Sequence, residues 1–128
     1  MSVWGSDRAI RLIRDADASW EEVSADWKAN QRPGDPGLRF KRLMPGASGM
    51  PNMQRSEYYP HHHEAPHSHP EDEILYVLNG TLFFGREALG PGDVIFVPKD
   101  MTYSLRTEDT GAEFVRVGFG DLAPPSEI

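Results

Sequence analysis

The sequence predicts an all-β domain, and three observations support this. Twelve glycines and eleven prolines in 128 residues indicate frequent turns and disfavour long helices. About eight short segments rich in strand-forming residues are separated by turn signals at intervals of roughly 8–12 residues, which is typical of a β-sandwich or barrel. Residues 74–78 and 94–97 are apolar on both faces, so we expect these strands to be covered on both sides.

The N-terminal region is predicted to be less regular than the rest. Residues 8–14 mix apolar alternation with charge and could form a strand. Two tryptophans and a valine recur at helical spacing after a possible capping box, which favours a short helix over residues 19–28. Pro-Gly turn signals follow in residues 31–37. We therefore expect residues 1–36 to form a short helical or irregular arm that packs on the barrel.

Apolar alternation between turn signals places the remaining strands. The predicted strands are residues 37–44, 53–59, 73–78, 81–84, 94–97, 102–106 and 114–119. Asn79-Gly80 is a strong hairpin signal, so residues 81–84 are predicted to return alongside the strand before them. We assign residues 37–120 to the barrel and residues 121–128 to a loose C-terminal tail.

Charge and composition exclude several classes of function. Thirteen basic residues against twenty acidic ones give a net charge of −7, which argues against a nucleic-acid partner. The absence of cysteine excludes disulfides and thiolate metal sites. The longest apolar run, residues 74–78, is too short to cross a bilayer, and no secretory signal is visible. We therefore expect a cytoplasmic protein with no membrane partner.

All five histidines fall within residues 61–69, and two of them have the spacing of a metal site. His67 and His69 are two residues apart, so on a strand they project to the same face and can share one ion. Glu73 heads the next strand with the same parity. Two imidazoles and one carboxylate leave positions open opposite them, a donor set that suits Fe, Mn, Ni or Zn. We expect one divalent transition metal ion per chain.

The other candidates for the site are weaker. His61, His62 and His63 lie between two prolines and are interpreted as a solvated loop, although His61 or His63 could turn inward as a ligand. Four basic residues of the early strands could hold a carboxylate substrate, although most are expected on solvated faces. These are Arg39, Lys41, Arg42 and Arg55, of which Arg55 is the leading candidate.

The segment His67-x-His69-x3-Glu73-x6-Gly80 resembles the first sequence motif of the cupin family. The resemblance covers about residues 37–119. It implies a double-stranded β-helix, the small jelly-roll barrel of cupins, with the metal inside the barrel mouth.

The second cupin motif is only half retained. Residues 92–98 match its first half, but Asp100, Tyr103 and Thr107 stand at its glycine, histidine and asparagine positions. In the family pattern that histidine is the fourth protein ligand. Because this chain has no histidine after His69, a second-motif imidazole is excluded.

Tyr103 at that position has three interpretations. It could bind the metal as a phenolate, since a bound cation lowers the pKa of a coordinating acid. It could instead stand off the metal as a catalytic general acid or base, or as a hydrogen-bond donor to substrate. It could also fill a barrel that holds no metal.

The resemblance leads us to expect a metal-dependent enzyme acting on a small organic molecule, with a carboxylate as one candidate. A redox metal would favour oxygenase chemistry and an oxidoreductase, whereas Zn would favour a lyase or isomerase in which Tyr103 moves the proton. The alternatives are a non-catalytic module that binds a metal or small ligand, and a metal-free barrel whose histidines bind substrate. Strands that are apolar on both faces predict a homodimer.

Overall fold

The computed structural model describes residues 9–23, 34–47 and 49–119, and this part of the chain is almost entirely β. A single turn of 3-10 helix spans Asp15–Asp17. The strands are β1 (Glu21–Val23), β2 (Leu38–Pro45), β3 (Asn52–Tyr58), β4 (Asp72–Gly80), β5 (Leu82–Phe84), β6 (Glu87–Leu89), β7 (Val94–Val97) and β8 (Ala112–Phe119). The described residues include no helix long and apolar enough to span a bilayer. The all-β prediction is therefore confirmed.

Two antiparallel sheets form the jelly roll. The larger sheet has the strand order β1-β2-β3-β8-β4-β7, and the smaller sheet pairs β5 with β6. Strand β8 lies between β3 and β4, so that Gln54 pairs with Arg116 and Arg116 with Leu75. Single bridges join His67 to Tyr103 and Phe83 to Arg106, and these connect the loop segments to the smaller sheet.

Alternation along the strands separates a barrel interior from an outer face. The buried hydrophobic core consists of Tyr58, Leu75, Val77, Leu82, Val97, Tyr103, Leu105, Ala112 and Phe114. Successive residues of β8 alternate in burial, with Phe114 and Arg116 inside. Burying apolar surface stabilises by about 25 cal/mol per Å², which makes this interior the main source of stability.

The outer face of β2 and β3 carries basic residues that the N-terminal residues cover. Lys41 Nζ lies 3.0 Å from the Asp15 carboxylate, and an Arg55 amino group lies 2.9 Å from it. The guanidinium of Arg39 lies 4.0 Å above the ring of Trp20. These contacts place the described part of the N-terminal segment against the sheet.

Two predictions for this N-terminal segment are wrong. Within the predicted helix over 19–28, residues 21–23 form strand β1, which pairs antiparallel with β2. Pairing at the open edge of β2 satisfies the backbone there, and this tertiary contact overrides the helical spacing of the side chains. Residues 24–28 lie outside the described part. Residues 9–14 form no regular strand.

The predicted hairpin at Asn79-Gly80 is also wrong. Strand β4 pairs with β7 and β8, whereas β5 pairs with β6. After Gly80 the backbone N–H of Thr81 donates to the carbonyl of Gly111, which carries the chain into the other sheet. Gly80 has a φ of +73°, and a Cβ there would lie 2.3 Å from the Gly111 oxygen. The glycine is therefore needed for a sheet-to-sheet crossing.

The remaining strand predictions agree with the structure except at two places. The predicted strand over residues 102–106 is an extended segment held by single bridges, and strand β6 was not predicted. The predicted tail at residues 121–128 lies outside the described residues.

Candidate metal centre and ligand cavity

A cavity of about 410 Å³ opens inside the barrel. Its apolar wall comprises Val23, Leu38, Phe40, Leu75, Leu105 and Phe114. Its titratable lining residues are Arg42, Tyr58, Glu64, His67, His69, Glu71, Tyr103 and Arg116. A mostly apolar cavity of this size with a few convergent polar groups is typical of small-molecule sites.

His67 and His69 lie side by side on this cavity wall. Their ring centroids are 4.9 Å apart and the rings are nearly perpendicular, at 87°. A reciprocal pair of 2.9 Å backbone hydrogen bonds to Tyr103 fixes the segment at His67. The structure therefore places both imidazoles at one site, as their i, i+2 spacing predicts.

Of the two ring nitrogens of His67, Nε2 is the one available to bind a cation. Its Nδ1 lies 2.9 Å from the carbonyl oxygen of Ala65, so a proton on Nδ1 makes that hydrogen bond. Its Nε2 lies 3.3 Å from Oε1 of Glu64. A cation bound at this nitrogen would therefore lie beside the Glu64 carboxylate.

Glu73 is fully buried and engaged by two other side chains. The hydroxyl of Tyr103 donates to one of its carboxylate oxygens, and Nε of Arg116 donates to the other. Arg116 also donates to Glu71 across 3.0 Å. Burial raises the pKa of Tyr103 well above 10, and the hydrogen bond to Glu73 and its charge raise it further. Tyr103 is therefore a proton donor in this arrangement.

As a result, the sequence-predicted ligands are close together but do not form a complete coordination shell. Glu73 does not line the cavity, whereas His67, His69 and Tyr103 do. Over the ranges described, no three His, Asp or Glu side chains are arranged to hold an ion. Coordination by His67, His69, Glu73 and Tyr103 stays a prediction.

Sequence reasoning missed Glu64. Its side chain is 9% exposed, it lines the cavity, and one carboxylate oxygen accepts a hydrogen bond from the hydroxyl of Tyr58. Burial raises the pKa of Tyr58 well above its usual value, and the charge of Glu64 raises it further, so this hydroxyl keeps its proton. The sequence feature that could have identified Glu64 is its position three residues before His67, but this segment was interpreted as a loop.

The interpretation of residues 61–63 as a solvated loop is wrong for His62. Its side chain is fully buried, and Nδ1 lies 2.6 Å from a carboxylate oxygen of Asp35. His61 fits the loop interpretation, because its side chain is 64% exposed and lies 3.2 Å from Asp109. None of the three histidines lines the cavity.

The basic residues divide between the two faces of the sheet. Arg55, the leading sequence candidate, lies on the outer face, where it pairs with Asp15 and Glu113. Of the four candidates, only Arg42 lines the cavity. Sequence reasoning did not identify Arg116, because the sequence does not show that a charged residue in an apolar strand has a carboxylate partner inside the barrel.

Comparison with known proteins gives consistent results. The family model described as "Cupin domain" matches residues 54–118. No curated protein matches the chain. A predicted oxalate decarboxylase from Thermotoga maritima is similar over 85% of this chain and 98% of its own, with 22% identity and a TM-score of 0.67.

Two further solved structures are similar at comparable levels. The polyketide cyclase RemF from Streptomyces resistomycificus has 23% identity and a TM-score of 0.66, covering 86% of this chain and 79% of its own. The DMSP lyase DddQ from Ruegeria pomeroyi has 22% identity and a TM-score of 0.64, covering 85% of this chain and 59% of its own. At these identities the similarity establishes the fold.

Proposed function

Because this chain belongs to the cupin family, we propose that it is an enzyme that binds a small organic molecule in the barrel cavity beside one divalent transition metal ion. The observation that carries the proposal is the pair of imidazoles of His67 and His69 on the cavity wall. Fe, Mn, Ni and Zn are the candidate ions, since all accept imidazole and carboxylate ligands.

The geometry of the two imidazoles fits a shared ion. Imidazoles bound at about 2.1 Å with roughly 90–110° between them have ring centroids roughly 4.6–5.3 Å apart. The observed separation of His67 and His69 is 4.9 Å. The hydrogen bond from Nδ1 of His67 to a backbone carbonyl is the type of contact that orients a metal-binding imidazole.

We propose Glu73 as the carboxylate ligand that completes this set. A carboxylate has about four lone-pair sites, so its hydrogen bonds to Tyr103 and Arg116 leave capacity for an ion. In this structure Glu73 contacts the cavity residues Tyr103 and Arg116 and does not itself line the cavity. Tyr103 then acts as the donor that orients Glu73.

The chain's own residues suggest a lyase or isomerase. A bound ion would supply Lewis acidity that polarises an oxygen of the ligand. Oε1 of Glu64 faces His67 and is placed to accept a proton from the ligand, while the apolar wall excludes water. The structural neighbours named above, a predicted decarboxylase, a cyclase and a lyase, show that this fold also occurs in proteins assigned to such reactions.

Metal analysis tests the proposal directly. Untagged protein purified without added metal is expected to contain about one Fe, Mn, Ni or Zn per chain by elemental analysis. The His67→Ala/His69→Ala variant should lose that metal, because it lacks both imidazole ligands. The element found would also separate redox chemistry from Lewis-acid chemistry.

The control removes two histidines that lie away from the cavity. His61→Asn/His63→Gln should retain the metal, and asparagine suits His61 because its φ is +68°. Metal that persists without His67 and His69, or wild-type protein that binds no metal even when it is supplied, would contradict the proposal. The second result would favour a metal-free ligand-binding barrel.

We further propose a homodimer formed through the outer face of strands β4 and β7. Tyr76, Val94 and Phe96 are 45%, 53% and 58% exposed, and Tyr76 pairs directly with Val94 across the two strands. Such an apolar strip at a sheet edge matches a self-complementary two-fold interface.

Sedimentation tests the dimer. The wild-type chain is expected to sediment as a dimer at micromolar concentration, and Phe96→Glu should shift it to the monomer, because a carboxylate would be buried in the interface. Phe84→Glu, a change at an exposed position of β5, should leave the dimer intact. A wild-type monomer at micromolar concentration would contradict the dimer.

A further inference from the structure

We propose that Arg42 and Gln54 form an anion subsite in the cavity, and that the ligand is a small organic acid with an apolar body. This inference rests on the proposed function, because it names the class of molecule that the cavity takes. It places the carboxylate of the ligand against Arg42 and its apolar part against the cavity wall.

The first argument is charge. Arg39, Lys41 and Arg55 on the same two strands each have an acidic partner on the outer face. Arg42 points the other way, lines the cavity and has no acidic partner within 4 Å in the described part of the chain. A guanidinium at a cavity mouth with no carboxylate beside it is ready to accept one from a ligand.

The second argument is the placement of neighbouring donors. Arg42 is directly opposite Gln54, and Gln54 is directly opposite Arg116, so the three side chains form one row across β2, β3 and β8. Arg116 is already paired with Glu73 and Glu71. Arg42 is therefore the guanidinium of this row that a ligand carboxylate can pair with, and the amide of Gln54 supplies an adjacent N–H donor.

The third argument is a polar atom next to this row that lacks a partner. Asn52 lines the cavity two residues before Gln54 on the same face of β3, and its Oδ1 is buried without a hydrogen bond. The two ends of a side-chain amide can be exchanged by rotation, which would present an NH2 group to the same anion. In that orientation Asn52 would offer an N–H donor to a carboxylate bound in the cavity.

The fourth argument concerns orientation and the body of the ligand. The guanidinium of Arg42 lies 5.8 Å from the ring centroid of Phe40, which is itself a cavity residue. This contact holds the charge over the cavity side of the sheet. Beyond it lie Leu75, Leu105 and Phe114, which provide apolar surface for a hydrocarbon or aryl group.

Binding of matched acids and amides tests the subsite. The probes are a series of ω-phenyl carboxylates of increasing chain length, each paired with its primary amide, together with inorganic phosphate. We expect at least one acid to bind wild-type protein more tightly than its amide by calorimetry. Arg42→Gln should weaken that acid at least roughly 10-fold, because it removes a charged bidentate donor, and should leave the amide unchanged.

The matched control is Arg86→Gln, which makes the same charge change in the turn between β5 and β6, away from the cavity. It should leave acid binding unchanged. The proposal is overturned if no acid binds better than its amide, or if Arg42→Gln binds the acid as tightly as wild type. Phosphate binding that depends on Arg42, with no acid preference, would replace the carboxylate by a phosphate ligand and also overturn it.

Metal content separates this inference from the proposed function. The Arg42→Gln variant is expected to retain the metal of the wild type. Wild-type protein that lacks metal but binds the acid through Arg42 would refute the metal site and leave the subsite intact. Protein that holds metal at His67 and His69 but binds the acid independently of Arg42 would refute the subsite alone.

Discussion

An Arg116→Met variant is expected to lose about 3–5 kcal/mol of its free energy of unfolding at neutral pH. Arg116 donates to Glu73 and to Glu71, and all three residues are buried, with exposures of 9%, 0% and 8%. Methionine fills a similar volume but leaves the two buried carboxylates without their guanidinium partner. Urea unfolding followed by circular dichroism measures the loss.

Two further variants identify the cause of that loss. Adding Glu73→Gln to Arg116→Met should recover part of the stability, because the amide carries no charge. Arg55→Met is the matched control, since Arg55 pairs with two carboxylates on the outer face but is 32% exposed, and it should cost within about 1 kcal/mol. Equal losses in Arg116→Met and Arg55→Met would show that burial of the ion pair has no special effect.

Asp35→Ala is expected to lower the free energy of unfolding by about 3–5 kcal/mol. The Asp35 carboxylate contacts His62 Nδ1 at 2.6 Å and accepts the backbone N–H groups of His63 at 2.7 Å and Gly37 at 2.8 Å. Removing it leaves these groups without their partner, and His62 is fully buried. Thermal and urea unfolding measure the effect.

The same substitution has a pH signature. Desolvation raises the pKa of Asp35, but hydrogen bonds from His62, His63 and Gly37 outweigh it and hold the pKa below 3.8. Because the folded pKa lies below the unfolded one, this stabilisation is present above about pH 4 and is lost as the pH falls through the folded value. Wild-type stability should therefore fall in acid more steeply than that of Asp35→Ala.

Asp109→Ala is the control for this pair of measurements. Asp109 is 92% exposed and lies 3.2 Å from the exposed His61, so its removal should change stability by less than about 0.5 kcal/mol and leave the acid slope unchanged. Identical acid slopes in wild type and Asp35→Ala would rule out this role for Asp35.

The strands that the sequence predicted best are those with a strong local signal. Strands β4 and β7 are continuous apolar runs, and β8 alternates clearly, so their positions follow from side-chain periodicity. The prediction of a hairpin at Asn79-Gly80 was wrong because a turn sequence specifies the local backbone conformation and not the strand with which the following residues pair. That choice depends on Gly111, which is distant in sequence.

The candidate site shows the same division between local and long-range information. The pairing of His67 with His69 follows from their spacing alone, and the structure places both rings on one wall. The partners of Glu73 could not be predicted, because Tyr103 and Arg116 reach it from other strands or loops through pairings that no local pattern encodes. The choice of Arg55 as the leading cavity residue was wrong for a related reason. Gln54 and Arg55 are adjacent in β3 and face opposite sides of the sheet.

The position of β8 determines when this protein can complete its fold. It is the last strand of the described chain, yet it lies in the middle of the larger sheet, pairing Asn52 with Gly118 on one side and Tyr76 with Val115 on the other. On the ribosome, β3 and β4 are therefore synthesised well before the strand that joins them. Until it emerges, both have open edges and Glu73 lacks Arg116. The larger sheet is completed only once β8 has been synthesised, and its long-range pairing makes that step slow.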